Sequence, residues 1–343
     1  MPEPAPAPHR ATIDDVASAA GVSTATVSRV LNGSANVAPQ TRAAVQRAIE
    51  RHGLTARPRR ARARPLPGVV TVRCPYVLDD YFGAILSAVA HSLRQRGKVA
   101  LLSAEATEGN EPSLPELLRP ELTDGALLIL PPEPGGVLAD LHAGGYPFVV
   151  VDPRTAPPSD IAAVSAAHLA GARTATEHLL RLGHTRIAAV TGPLSWLASD
   201  GRLLGYRTAL AAQGRLAPDG LVQEGGEPTV ANGLRAARAL FAAAEPPTAI
   251  VAFNDKMAIG AMQAAAERGL RVPGDVSVVG FDDSELSRVT VPQLTTVRQP
   301  LAEMARMGVE LLLRLIDGRD IHTLHVELAT ELVTRASTGP PPG

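Results

Sequence analysis

Residues 57–65, RPRRARARP, set five arginines within nine positions of a chain whose formal net charge is −1. A guanidinium stays charged at any physiological pH and presents a fork of donors that fits phosphate oxygens. The chemistry available to such a strip is therefore the binding of a polyanion. Its surroundings agree. Residues 1–67 hold ten arginines against four acids, a net of +6, so the remainder carries −7. A basic head on an acidic body points the head at nucleic acid. Residues for covalent chemistry are scarce. The chain has no phosphate-binding GxxxxGK[ST] loop, no GxGxxG after a strand, no GxSxG elbow and no HExxH. Its one cysteine, Cys74, sits in the apolar run VVTVRC and reads as packing. The Asp79-Asp80 and Asp282-Asp283 pairs lack a His or Glu at ligand spacing, and helix capping accounts for them better than a metal. No catalytic residue, metal or cofactor is expected.

These residues need elements to position them. Thr12 and Asp15 give a capping-box-like start, with Ile13, Val16, Ala17 and Ala20 as an apolar face that ends at Gly21. Ser23 is a natural N-cap for a second helix with Val27, Val30 and Leu31 inward, and a third follows Pro39. A helix, a Gly-containing turn and a short second helix can enter a major groove. Thr24, Ala25 and Thr26 would then lie near base edges or phosphates, and Arg29 would reach guanine. A three-helix bundle with a polar face is the plainer alternative. Beyond the strip the pattern changes to short apolar runs between helical segments: VVTV at 69–72, VALL at 99–102, ALLIL at 126–130, FVVV at 148–151, IAAV at 187–190, AIVAF at 249–253 and VSVVGF at 276–281. Fully apolar strands alternating with helices predict parallel sheets covered on both faces, in two successive sets, and such sheets bind ligands at the carboxyl ends of their strands. Asn254, Asp282 and Asp152 each follow such a run, while Asp255 and Asp283 are expected to cap the helices after them.

The stretch TIDDVASAAGVSTATVSRVLNG, continuing to VAPQTR, resembles the DNA-binding head of the lactose/galactose-repressor (LacI/GalR) family. HLLRLGHTRIAAVTGP, RLLGYRTALA, AFNDKMAIGAMQAAAERGLRVPGDVSVVGFDDSEL and PQLTTVRQP resemble that family's core, so the likeness covers almost the whole chain. It implies an N-terminal all-α helix-turn-helix head joined to an α/β periplasmic-binding-protein-like core of two doubly wound parallel-sheet subdomains. The expected division is a disordered tail at 1–11, the head at 12–56, a hinge at 57–67, a first subdomain at 68–163 plus 298–325, a second at 164–297 plus 326–338, and a tail at 339–343. By the resemblance Thr24, Ala25 and Arg29 read bases. Thr12, Ser23, Thr26, Ser28, Asn32, Thr41 and Arg42 hold phosphates. Arg202, Asn254 and Asp282 bind a small-molecule effector, a sugar or sugar derivative, and Asp152 is a further cleft candidate. Tyr81, Phe82, Trp196 and Phe253 would offer aromatic faces to the ring, with core packing as the alternative for each.

Two positions depart from the family. Its frequent Asp-Asn pair before the GAR helix is here Ala167-His168, and His168 reads either as a ligand contact or as a helix-start residue. Its hinge, resembling YxPNxxARSLR, wedges leucines into the minor groove; in register this chain reads LTARPRRARARP, with Ala63 at the leucine position and Pro58 near the helix start. Arg59, Arg60 and Arg62 are therefore expected to hold the central minor groove by charge rather than by a wedge. The resemblance implies a repressor acting as a homodimer on a palindromic double-stranded operator, with the helices at 79–97 and after Asn254 as dimer surfaces. The ending STGPPPG, without a heptad helix, argues against a tetramer. MPEPAPAPHR lacks the apolar core of an export leader, so a cytoplasmic, nucleoid-associated protein with no membrane contact is expected. A solute-binding protein would show the reverse, an export signal and no basic head. A further alternative is an architectural DNA binder whose core has lost its effector, against which Arg202, Asn254 and Asp282 argue.

Overall fold

The computed structural model describes residues 13–31, 38–52, 68–74, 76, 80–104, 114–118, 122–217 and 220–343, and the chain divides into units at 1–63 and 64–343. In the first unit α1 (Ile13–Ala20), α2 (Thr24–Leu31) and α3 (Pro39–His52) close on a small core of Val16, Ala17, Val27, Val30, Val45 and Ala48. Gly21 ends α1 at φ +63°, a conformation that costs glycine nothing. The Ser23 hydroxyl accepts the Thr26 amide at 3.3 Å and so caps α2. Proline at the first position of α3 forfeits only an amide that would lack a helical partner.

The second unit is built on two six-stranded sheets. The first takes β1 (Val69–Cys74), β2 (Val99–Ala104), β3 (Gly125–Ile129), β4 (Phe148–Val151) and β5 (Ala163–Ala166), with α4 (Asp80–Arg94), α5 (Leu114–Leu117) and α6 (Gly135–Ala143) between them. The second takes β6 (Ile187–Thr191), β7 (Val222–Glu224), β8 (Ala249–Ala252), β9 (Ser277–Asp282) and β10 (Thr295–Arg298). Its helices are α7 (His168–Arg181), α8 (Leu197–Ala211), α9 (Val230–Phe241), α10 (Asp255–Glu267) and α11 (Leu286–Val289). The chain then returns through α12 (Leu301–Ile316) and β11 (His325–Leu328) to the first sheet and ends with β12 (Glu331–Val333) in the second. The strand orders are β11-β5-β4-β3-β1-β2 and β12-β10-β9-β8-β6-β7. All pairs are parallel except β10 with β12.

The apolar runs explain most of this. β3, β4 and β8 are buried along their whole length, as expected of strands covered on both faces. VALL is the exception. β2 is an edge strand, and Val99 and Leu101 are 64% and 50% exposed. The crossings between subdomains fall about three residues later than the expected division. Val164 pairs with Val151 and Val326 with Val164, so the residues of β5 and β11 placed in the second subdomain belong to the first sheet. Among the described residues no helix is long and apolar enough to cross a membrane.

The helix pairs of the second subdomain approach closely because small residues face each other. A Cβ on Gly260 of α10 would collide with the Val230 carbonyl and stand 2.5 Å from the Leu234 amide, both backbone groups of α9 that cannot swing aside. Gly260→Ala is expected to cost about 2–3 kcal/mol, as overpacking against backbone does. Thermal unfolding of the full chain should show it as a fall of several degrees, while alanine at the open position Gly136 leaves the midpoint in place.

Candidate functional site

The carboxyl ends of both sheets face a cleft with about 110 Å³ of enclosed free space. All eight residues expected at the effector site line it: Tyr81, Phe82, Asp152, Trp196, Arg202, Phe253, Asn254 and Asp282. Among the described residues, three of the four non-glycine residues with left-handed backbone stand on this rim: Leu130 (φ +46°), Asp152 (φ +54°) and Asp282 (φ +115°). Such conformations cost free energy, and they aim side chains across the mouth of a sheet where an ordinary turn would not.

Arg202 is the centre of the site. It projects from α8, is 8% exposed, and its guanidinium carbon lies 3.7 Å from the centre of the Phe281 ring and 4.4 Å from that of Phe253. One terminal nitrogen donates to the Phe253 carbonyl. Asp282 stands 3.9 Å away and accepts the Gln299 amide at 2.7 Å. Burial, opposed only partly by Arg202, pushes the Asp282 carboxyl up to about 7. Asp152 goes the other way. Burial raises it, but His168 at 3.0 Å, a hydrogen bond from the Tyr81 hydroxyl, and Arg202 together hold it below the ordinary carboxylate value. Burial and the adjacent Asp152 charge push the Tyr81 phenol well up, so it stays a donor.

The aromatic groups form the walls. Trp196 is only 5% exposed, sits edge-on to Phe253 at 6.3 Å, and has the Arg154 guanidinium 5.0 Å from its ring centre. Its indole N–H has no hydrogen-bond partner among the described residues, nor has the side-chain oxygen of Gln299. Tyr76 stacks on Phe82 at 4.8 Å. An apolar wall with a few unmet donors and acceptors suits a flat polyhydroxylated ring better than a purely apolar ligand.

Two expectations need correction. Neither Asp255 nor Asp283 caps a helix. The cap of α10 is Asn254, whose side-chain oxygen accepts the Met257 amide at 3.0 Å, leaving its NH2 for the cleft. Asp255 instead accepts from the Thr296 hydroxyl and, at 2.7 Å, from the Ser284 amide, tying the β9 end to β10. Asp283 pairs with Arg335, Arg298 and Arg288. Tyr76, Glu227, Lys256, Ser284 and Gln299 also line the cleft and were not anticipated. Gln299 was legible in principle, since it directly follows β10, but TTVR is too polar to announce a strand.

In the head, Thr24 is exposed at the first position of α2, and Thr26, Thr41 and Arg42 are half-buried. The Thr26 hydroxyl bonds to Ser23 at 3.0 Å, so both hydroxyls are engaged locally. Thr12, Asn32, Arg59, Arg60, Arg62 and Ala63, and the side chains of Ala25, Ser28 and Arg29, lie outside the described residues.

A helix-turn-helix unit carried on the same chain as a two-sheet ligand cleft defines a ligand-responsive, DNA-binding regulator. The chain belongs to the LacI family of bacterial regulatory proteins, and it is a transcription regulator rather than an enzyme. Residues 12–55 match the family's DNA-binding region and residues 176–338 match a periplasmic binding protein-like domain. The transcriptional regulator CelR of Thermobifida fusca is 34% identical over 96% of this chain and 98% of its own. A structure of a CelR–cellobiose complex superposes with a TM-score of 0.74 at 33% identity, over 96% of this chain and 100% of the other. The lac repressor dimer bound to operator and an anti-inducer gives 0.71 at 29% identity, over 96% and 100%.

The raised Asp282 carboxyl has a consequence for stability. A buried carboxyl whose folded value lies above its unfolded one costs nothing below pH 4 and its full penalty above about pH 7, so stability falls across that window. Asp282→Asn, which keeps an acceptor for Gln299, should remove the penalty. Without effector the variant should be more stable than the parent at pH 8 by about 1–2 kcal/mol, an upper-range shift discounted for partial compensation, and equal to it near pH 4. Melting curves at the two pH values check this.

Proposed function

We propose that the chain is a repressor that binds a palindromic operator as a homodimer in the cytoplasm, on the nucleoid, and that a sugar or sugar derivative in the cleft controls its operator affinity. The observation that carries this reading is the convergence on one cleft of a buried guanidinium, an amide and a carboxylate between aromatic walls. Those three groups offer donors and acceptors to neighbouring ring hydroxyls, and the aromatic faces cover the apolar side of the ring. The complex of the related CelR with cellobiose and the operator-bound lac repressor dimer support the ligand class and the assembly. The exposed face of α4 and the half-buried surface of α10 are the proposed dimer surfaces, and the same division into subdomains lets ligand-linked closure reach the head.

Operator selected from a random duplex library, followed by a panel of mono- and disaccharides, tests the reading. One sugar should raise the melting temperature and change operator affinity. Arg202→Met should abolish both effects. Absence of any selected operator would overturn the reading.

The arginine strip has its own proposed role, argued from sequence. With alanine at position 63, Arg59, Arg60 and Arg62 hold a narrow central minor groove by charge. Replacing the three with glutamine should weaken operator binding at least about tenfold more than binding to random duplex. Equal loss on both would make the strip a non-specific tether.

A further inference from the structure

His168 is the first residue of α7, as a helix-start residue would be; the N-cap before it, Ala167, supplies no side-chain cap, and the His168 ring nitrogens face Asp152 and Arg202. It is 8% exposed and lies against Phe281, with ring centres 6.0 Å apart. Its two nitrogens face two different charged groups. Nε2 is 3.0 Å from Asp152, which follows β4 in the first subdomain. Nδ1 lies 3.4 Å and 3.3 Å from Nε and a terminal nitrogen of Arg202, which is on α8 of the second.

These contacts fix the state of the ring. A guanidinium has only donors, so Nδ1 must accept and carries no proton. The proton is therefore on Nε2 and is donated to Asp152, whose other oxygen accepts from the Tyr81 hydroxyl. The ring connects a cation in one subdomain to an anion in the other. Only one tautomer serves.

We propose that His168 latches the two subdomains together in the free protein, as its Nε2–H donates across the cleft to Asp152 while its Nδ1 holds Arg202 in place for the effector. The latch rests on the proposed function only for its purpose, control by an effector in the cleft. An effector hydroxyl that engages Arg202 or Asp152 would compete with one arm of the connector or complete the other, so ligand binding and closure share the same atoms. His168 is in this sense a positioning residue.

Two substitutions separate its arms. Asparagine places an acceptor near the position of Nδ1 and nothing at Nε2; glutamine places a donor near Nε2 and no acceptor toward Arg202. Spin labels at Asp140→Cys and Gln213→Cys, both exposed and one in each subdomain, report closure, since the native Cys74 is buried. Exchanging labelled chains into excess unlabelled protein keeps the distance within one subunit. Without any sugar, His168→Asn should raise the ratio of open to closed molecules at least about tenfold, the loss of one charge-assisted hydrogen bond. His168→Gln should leave it near the parent's. The 13Cδ2 resonance of selectively labelled His168, assigned by its absence from the Gln variant, should show the Nε2–H tautomer. An unchanged distance distribution in the Asn variant, or an Nδ1–H ring, overturns the latch. If operator binding by all three proteins survives either result, the proposed function stands apart from it.

Discussion

A guanidinium buried between two phenylalanine rings is the constraint around which the second unit is organised. Arg202 cannot shed its charge, and burial of an uncompensated charge costs far more than any single contact returns. Its surroundings supply what water would have supplied. A carbonyl at the end of β8, the ring of His168, two carboxylates from opposite sheets and two aromatic faces surround it. Each of those groups is delivered by the end of a strand or the start of a helix. The positions of β4, β8 and β9 in the two sheets are therefore felt directly at one cation. Losing the ionised Asp152 would leave that cation buried without its fixed counter-charge.

The carboxylates divide the work. Asp152, supplied with donors from Tyr81 and His168, is held ionised. Asp282, with one amide donor and a guanidinium at 3.9 Å, is pushed up to about 7. The two acids therefore differ in charge near neutral pH although they face the same cation. A ligand meets one fixed acceptor on the first sheet and one group on the second that can donate or accept.

Much of this was legible in the sequence. The apolar runs located the central strands because a strand covered on both faces carries mostly apolar residues, and their carboxyl ends located Asp152, Asn254 and Asp282. The family resemblance supplied Arg202, which no local pattern marks. Sequence reasoning failed where side-chain character and place in the sheet part company. VALL looks like a core strand but forms an exposed edge, and TTVR is too polar to announce a strand but is buried, because the Thr295 hydroxyl meets Thr338 beyond the last strand and the Thr296 hydroxyl meets Asp255 of α10. Asp255 and Asp283 look like caps by position. The partners of Asp255 lie 29 and 41 positions away, and those of Asp283 include Arg298 and Arg335, 15 and 52 positions away, separations no local rule can see.

Two of the connections between the subdomains are stitched to each other. The Ala167 amide donates to the Leu328 carbonyl, and the Thr330 hydroxyl donates back to the Ala167 carbonyl at 3.4 Å. Only two residues separate β11 in one sheet from β12 in the other. Bundled in this way the crossings resist being pulled apart but yield to bending, like the spine of a book. The pages nearest the spine hardly shift when the covers part. A small angular change set by a few atoms at Arg202 is thus amplified with distance from the crossings, and the outer margins of the sheets travel furthest.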